Sequence, residues 1–393
     1  NHPLYILYSS GTTGKPKAIV HGHGGTLIQH LKEHRLHCDL KPNDRLFYFT
    51  TCGWMMWNWL VTGLASGVAI VLYEGSPFYP NEMTCWQLID DLSITHFGTS
   101  AKFIAASQEK GVSPKSMLSL ESLSMVLSTG SPLLDCHFDY LMTDLKKDLH
   151  IASISGGTDI VSCFVGGVAT LPVRRGFLQA RGLGMAVEAY TDSGTPVIGE
   201  QGELVCTKPF PSMPVSFWND PNGDRYRGSY FDRFKGIWHH GDYIQIEVDG
   251  SVKMLGRSDA TLNPGGVRIG TAELYEALAS LPQIKDCIIA GRRLPDDEEI
   301  VVFVVMATGC ELDLDQAKSI KRHVRSALSP RHVPAYILEV TDIPLTLNGK
   351  RCEIAVKKIL NDTTCDVSHF SVANEASLIE IRAVVDQSFD LVS

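Results

Sequence analysis

Residues 46–73 read LFYFTTCGWMMWNWLVTGLASGVAIVLY, a stretch of twenty-eight residues without a charge. That exceeds the ~20 apolar residues a membrane-spanning helix needs. Gly53, Gly63 and Gly67, with Asn58 and Thr62, break it into three pieces instead: an apolar run at 46–50, a Trp/Met-rich helical segment at 54–65 and a β-branched run at 68–73. This is a strand-helix-strand unit of a parallel sheet buried on both faces. Working outward, short apolar strands at 5–8, 69–73, 96–99, 124–128 and 151–155 alternate with helical patterns such as 83–92. βαβ repetition is therefore expected over residues 1–182. Between 183 and 256 the segments are shorter, alternating and punctuated by turns such as Asp249-Gly250, which predicts a small β subdomain. Beyond Gly256 a helix with Leu274, Leu278 and Leu281 on one face precedes a strand pair, a helix at 313–328 and a strand at 336–340. The fold class is thus α/β, a large domain over 1–256 followed by a smaller α+β domain over 257–363. A C-terminal extension at 364–393 has no clear pattern beyond a terminal helix.

The composition agrees. With 393 residues, 44% hydrophobic and 20% charged, the chain has ample core and is neither disordered nor a coiled coil. Lys and Arg number 35 against 44 Asp and Glu, with no run of like charges, so nothing draws it to nucleic acid or an anionic membrane surface. The ten cysteines are scattered singly, with no CxxC pair, which predicts reduced thiols and a cytosolic protein. Asn1-His2-Pro3 leads at once into an apolar run, as in a chain cut at its N-terminus.

The strongest chemical signal is Tyr8-Ser9-Ser10-Gly11-Thr12-Thr13-Gly14-Lys15-Pro16-Lys17, directly after a strand. Its glycines let backbone N–H groups converge on an anion, its hydroxyls add donors and its lysines add charge, a cradle for phosphate. Only two residues separate the glycines, so it is not a Walker A loop. By composition alone such a loop reads as flexible surface. Gly182-Leu183-Gly184 lacks a third glycine and a preceding strand for a dinucleotide fingerprint, and Ser128-Thr129-Gly130-Ser131 is not a hydrolase elbow. Adjacent His239-His240 suggests a metal or acid/base pair, but neighbouring residues rarely point to one centre.

The ordered string at 8–17 resembles the signature loop of the acyl-adenylate-forming enzymes, and later motifs follow in that family's order as far as about residue 361. The resemblance implies ATP, Mg²⁺ and coenzyme A as cofactors. It places Ser9, Ser10, Gly11, Thr12, Thr13, Gly14 and Lys15 on the phosphates, and Gly130, Ser131 and Pro132 at the adenine. Ser155-Gly156-Gly157-Thr158-Asp159 is similar to the motif whose Thr touches the α-phosphate and whose acidic residue, usually Glu, helps hold the metal; here these are Thr158 and Asp159. Asp242, in Trp238-His239-His240-Gly241-Asp242, takes the place of the ribose-binding Asp. Gly256-Arg257-Ser258-Asp259 resembles the hinge, with Arg257 at the nucleotide and Asp259 as the pivot. Gly265-Gly266-Val267-Arg268 resembles the loop near the phosphopantetheine, with Gly266 beside it and Arg268 near the phosphate. Pro344 to Lys350 resembles the motif whose Lys bridges carboxylate and α-phosphate, a point charge where two anions meet.

The implied reaction is ligation of acetoacetate to coenzyme A through an acyl-adenylate, with small molecules the only partners and no membrane span. Gly156 stands where the acetate-activating relative has a capping Trp, which implies room for a longer acyl group. Trp54, Met55 and Met56 are expected on the other wall, or simply in the core. Two alternatives remain open at this point: the same chemistry on another short or medium acid, and an inactive truncated protein that serves in interactions.

Overall fold

In a computed structural model, residues 1–9, 17–295, 297–346, 349–362, 364–370 and 372–389 are described. They divide into two compact units, one holding 1–9, 17–240 and 244–254, the other 241–243 and 255 onward.

The first unit is centred on a five-stranded parallel sheet in the order Ala69–Val71, Arg45–Tyr48, His96–Ser100, Met125–Thr129, His150–Ser153. Side chains alternate across these strands, and both faces are covered. Phe47, Phe97, Val126 and Ile151 pack with Trp86, Ile104 and Leu141 on one side. Leu46, Tyr48, Met125 and Leu127 pack with Met56, Trp59 and Leu60 on the other. Each fully buried side chain of this size contributes roughly 1.5–3 kcal/mol. The uncharged stretch that opens the sequence reading is accordingly the strand Arg45–Tyr48, the helix Met55–Thr62 and the strand Ala69–Val71. No helix among the described residues is long and apolar enough to cross a membrane.

One expectation fails. The strand Pro3–Tyr8 does not join the parallel sheet; it forms an antiparallel hairpin with Ala18–Gly22, to which Ser216–Phe217 is added. An apolar run specifies a strand but not its partner, and here residues 10–16 connect two adjacent antiparallel strands. The strands Ser155–Gly157, Ser162–Gly166 and Ala180–Arg181 form a second antiparallel sheet. The β subdomain expected after residue 183 is a sheet ordered Pro196–Val197, Val187–Tyr190, Gln201–Cys206, Trp238–Ile246, Val252–Arg257. Phe164, Val187, Leu204, Trp238 and Ile244 share its core.

In the second unit a sheet of Ile284–Arg293, Glu298–Met306 and Tyr336–Glu339 is antiparallel at its first pair and parallel at its second. Its two faces again read in period two. Ile289, Val302 and Val304 meet the helices Thr271–Ala279 and Leu314–Ala327 through Leu274, Leu278, Ile320 and Val324. Ile288, Val301 and Phe303 meet Glu353–Asn361 and Glu375–Ser388 through Val356, Ile359, Leu378, Ile381 and Val385. The extension is therefore part of this core.

Candidate functional site

Ser9 and Lys17 close the ends of the signature loop. The Ser9 N–H donates to the Lys17 carbonyl at 3.1 Å, and the Lys17 N–H donates to Ser9 Oγ at 3.2 Å. Ser10, Gly11, Thr12, Thr13, Gly14 and Lys15 lie outside the described residues.

Hairpin geometry sends the Lys17 side chain to Asp159, 142 positions away in sequence, with Nζ 2.8 Å from Oδ1. Tyr230 donates its hydroxyl to the same oxygen at 2.6 Å, and the ammonium sits 4.9 Å from the centre of the Tyr230 ring. That ring stacks on Trp238 at 3.7 Å. Burial works against the Asp159 charge, but Lys17, His240 and the Tyr230 hydroxyl outweigh it and hold the carboxyl well below the usual range. Burial, and then Asp159 itself, push the Tyr230 phenol far up, so it stays a donor.

Thr158, one residue earlier, is held by its backbone: His21 Nε2 donates to its carbonyl at 3.0 Å. Burial lowers the His21 pKa to about 4, so the ring is neutral near pH 7 and carries its proton on Nε2, because a carbonyl can only accept.

A metal is less well served. Asp159 Oδ1 is committed to Lys17 and Tyr230, and among the described residues no group of three His, Cys, Asp or Glu could hold a metal ion. These residues do not fit a resident metal centre.

The acyl-pocket expectation needs correction at two positions. Gly156 lies in Ser155–Gly157, and a Cβ there would stand 2.1 Å from the Ser162 carbonyl oxygen and 2.4 Å from Cys163 Cα. Glycine is required by the close approach of the paired strand, and the missing side chain points at backbone, not into open volume. Met56 is 2% exposed and belongs to the sheet core. Trp54 and Met55 are half-buried at the edge of that core. The Trp54 indole lies 3.7 Å from where a Gly130 Cβ would be, and Gly130 itself has φ +93°, so the turn at Gly130 and Trp54 are neighbours. Ser131 and Pro132 follow it, exposed.

His239 and His240 serve different partners: His239 Nε2 is 2.9 Å from the buried Glu203 carboxylate, whereas His240 meets the Phe164 ring edge-on at 4.7 Å. They do not share a centre.

In the second unit Asp242 is buried and its Oδ1 accepts from Arg257 Nη1 at 3.1 Å. Arg257 Nε also reaches Asp259 at 3.4 Å. Gly256, just before, has φ +111°, and a Cβ there would stand 2.9 Å from Thr271 Oγ1. Asp259 is exposed within the short turn Ser258–Ala260, and Lys357 Nζ donates to the Thr261 carbonyl at 3.0 Å. The Arg268 guanidinium lies over the Tyr243 ring at 4.6 Å and donates to Thr261 Oγ1 at 3.0 Å. Gly266 ends the turn Pro264–Gly266. Lys350 closes a turn in which the Thr346 N–H donates to the Lys350 carbonyl at 2.8 Å and Gly349 adopts φ +76°. Leu347 and Asn348 of that motif lie outside the described residues.

Sequence reading missed Tyr230, His21 and the pairing role of Lys17. Tyr230 ends the helix Asp224–Tyr230, whose sequence Asp-Arg-Tyr-Arg-Gly-Ser-Tyr carries glycine and no apolar period. The one available signal was His21 in an otherwise apolar strand.

The chain matches the AMP-binding enzyme family over residues 1–210 and the AMP-binding enzyme C-terminal domain over residues 273–350, and it belongs to the AMP-binding enzyme family. It is 53% identical to the acetoacetyl-coenzyme A synthetase of Rhizobium meliloti (strain 1021) over 360 residues, 92% of this chain and 55% of that one. It is 52% identical to the acetoacetyl-CoA synthetase of Gallus gallus, over 92% of this chain and 54% of that one. The solved structure of acetoacetyl-CoA synthetase from Streptomyces lividans superposes with a TM-score of 0.91 at 47% identity, covering 98% of this chain and 60% of that one. The chain spans about half the length of the curated relatives it matches.

Proposed function

We propose that the full-length protein is an ATP-dependent acid–CoA ligase that converts acetoacetate to acetoacetyl-CoA. The observation that carries this is identity near one half, over nine-tenths of the chain, to proteins named for that reaction. In the first half-reaction a carboxylate oxygen of acetoacetate attacks the α-phosphorus of MgATP and pyrophosphate leaves. In the second, the CoA thiolate attacks the acyl carbonyl of the adenylate and AMP leaves. The mixed anhydride conserves the energy of ATP between the two steps.

Magnesium enters with the nucleotide, as MgATP. The signature loop, with Lys17 behind it, gathers the phosphates, Thr158 faces the α-phosphate and the turn at Gly130 to Pro132 faces the adenine. Asp242 takes the ribose, for which two carboxylate oxygens suit two hydroxyls. Its link to Arg257 supports a shared nucleotide role. Lys350 supplies the cation for the first half-reaction, Asp259 is the pivot by which the region from about residue 257 changes role, and Gly266 and Arg268 attend the CoA arm. Ten unpaired cysteines support a cytosolic location.

The test is product analysis. The full-length protein incubated with acetoacetate, MgATP and CoA forms acetoacetyl-CoA and AMP in equal amounts. ADP as the nucleotide product, or no thioester, contradicts the assignment.

A further inference from the structure

The turn that carries Thr158 and Asp159 has an improbable backbone. Val161 adopts φ +48°, a left-handed conformation that a β-branched side chain resists. Backbone strain alone favours glycine there, against the packing of the fully buried Val161 side chain, and such strain persists only where the surroundings over-determine it. Within the turn, the Ile160 N–H donates to the Gly157 carbonyl at 3.1 Å and the Val161 N–H to the Thr158 carbonyl at 3.2 Å.

What holds it is a buried polar spine on the strand and helix at 18–37. His21 Nε2 donates to the Thr158 carbonyl, as above, and His30 Nε2 donates to the Val161 carbonyl at 2.5 Å. The other nitrogen of His30 lies 3.0 Å from the Thr62 hydroxyl, at the end of the helix Met55–Thr62. One residue past Val161, the Ser162 hydroxyl binds the Glu33 carboxylate and accepts from Gln29 Nε2 at 2.8 Å. Glu33 accepts in turn from Trp59 Nε1 at 2.9 Å. His21, Gln29, His30 and Glu33 are all at or below 4% exposed, so none of them touches a substrate.

We propose that His30 is a positioning residue for adenylation: its imidazole clamps the strained Val161 carbonyl and thereby fixes the turn that presents Thr158 and Asp159. The proposal rests on the ligase reading above. A rigid backbone here matters because a small misplacement of a group that meets the reacting phosphate costs orders of magnitude in rate.

The experiment compares wild type, His30→Leu, His30→Gln and Val161→Gly in the full-length protein. Three quantities are read: acetoacetate-dependent pyrophosphate exchange, melting temperature, and amide hydrogen exchange at Ile160 and Val161. His30→Leu slows kcat at least tenfold while the KM for ATP moves less than threefold. His30→Gln, whose amide can still donate to the carbonyl, recovers most of the loss. Val161→Gly lowers the melting temperature, because the fully buried isopropyl group is lost, and at a temperature where it stays folded it slows kcat at least threefold and speeds exchange at both amides. A loss confined to kcat and its rescue by glutamine are what a merely structural role does not produce, and the kcat of folded Val161→Gly carries the test alone if His30→Leu does not fold. An active wild type with Val161→Gly at full rate overturns the positioning role only. A wild type without exchange on any acid overturns the ligase reading and, with it, this one.

Discussion

The Lys17 ammonium stands 2.8 Å from the Asp159 carboxylate and joins the signature loop to the turn at Thr158. The Asp159 side chain is 17% exposed and that of Lys17 31%, so the carboxylate is the end that depends more on its partner.

A double-mutant cycle with Lys17→Met and Asp159→Asn measures the link. Because Lys17 keeps nearly a third of its side chain in water, the loss on breaking the pair falls below the ~3–5 kcal/mol of a fully buried one. The expected coupling energy is about 1–3 kcal/mol in urea unfolding. Additivity within about 0.5 kcal/mol shows that the two do not interact.

Stability falls on mild acidification. Burial lowers the pKa of His21 from 6.5 to about 4 against a smaller opposing pull from its bond to Thr158, and burial lowers those of His30 and His37 as well. The unfolded chain takes up these protons near pH 6.5 and the folded chain does not. The stabilisation from neutral His21 is therefore complete above 6.5 and is lost as pH falls toward 4, at about 1.4 kcal/mol per pH unit. Asp159 acts in the other range: its depressed pKa gives stability that is present above about pH 4 and lost only in stronger acid. Urea midpoints at pH 7 and pH 5 check this, with His21→Gln expected to flatten the slope. Equal slopes in wild type and variant count against a buried neutral His21.

Gly156→Ala destabilises the fold by about 1–3 kcal/mol or more, since even a methyl group meets the Ser162 carbonyl at 2.1 Å. Thermal melts read this directly, and a wild-type melting temperature shows that the strands separate freely. The tryptophan replacement suggested by the acetate-activating relative is consequently a folding variant here and says nothing of acyl preference.

How far the sequence could be read depended on the range of the interaction. The parallel sheet was legible because Leu46, Phe47 and Tyr48 are apolar in succession, the mark of a strand covered on both faces. The partner of Pro3–Tyr8 was not, since an apolar run is silent on pairing. In the extension, Leu378, Ile381 and Val385 recur at helical spacing, but the weak pattern around them gave no hint that they complete the second unit's core. At the site, family motifs pointed to Thr158, Asp159 and Asp242 by local order. The Lys17–Asp159 pair and the His30 clamp join residues more than a hundred positions apart and leave no local trace. Gly156 was misread because a missing side chain signals space only when the backbone opposite is known.

Lys350→Ala in the full-length protein slows adenylation by roughly 10²–10³, the loss typical of one transition-state donor. Thioester formation from supplied acetoacetyl-adenylate stays within a few-fold of wild type. Stopped-flow or quench assays of the two half-reactions check the division, and equal loss in both shows that Lys350 does not belong to the first step alone.

The central claim is that this sequence belongs to a machine that activates acetoacetate as an adenylate before any thiol is involved. The most direct measurement is the exchange of labelled pyrophosphate into ATP by the full-length protein, without CoA, across acetoacetate, acetate, propionate, butyrate and 3-hydroxybutyrate. The account predicts CoA-independent exchange that is fastest, in kcat/KM, with acetoacetate. Exchange driven best by another acid contradicts the substrate, and exchange with none contradicts the chemistry.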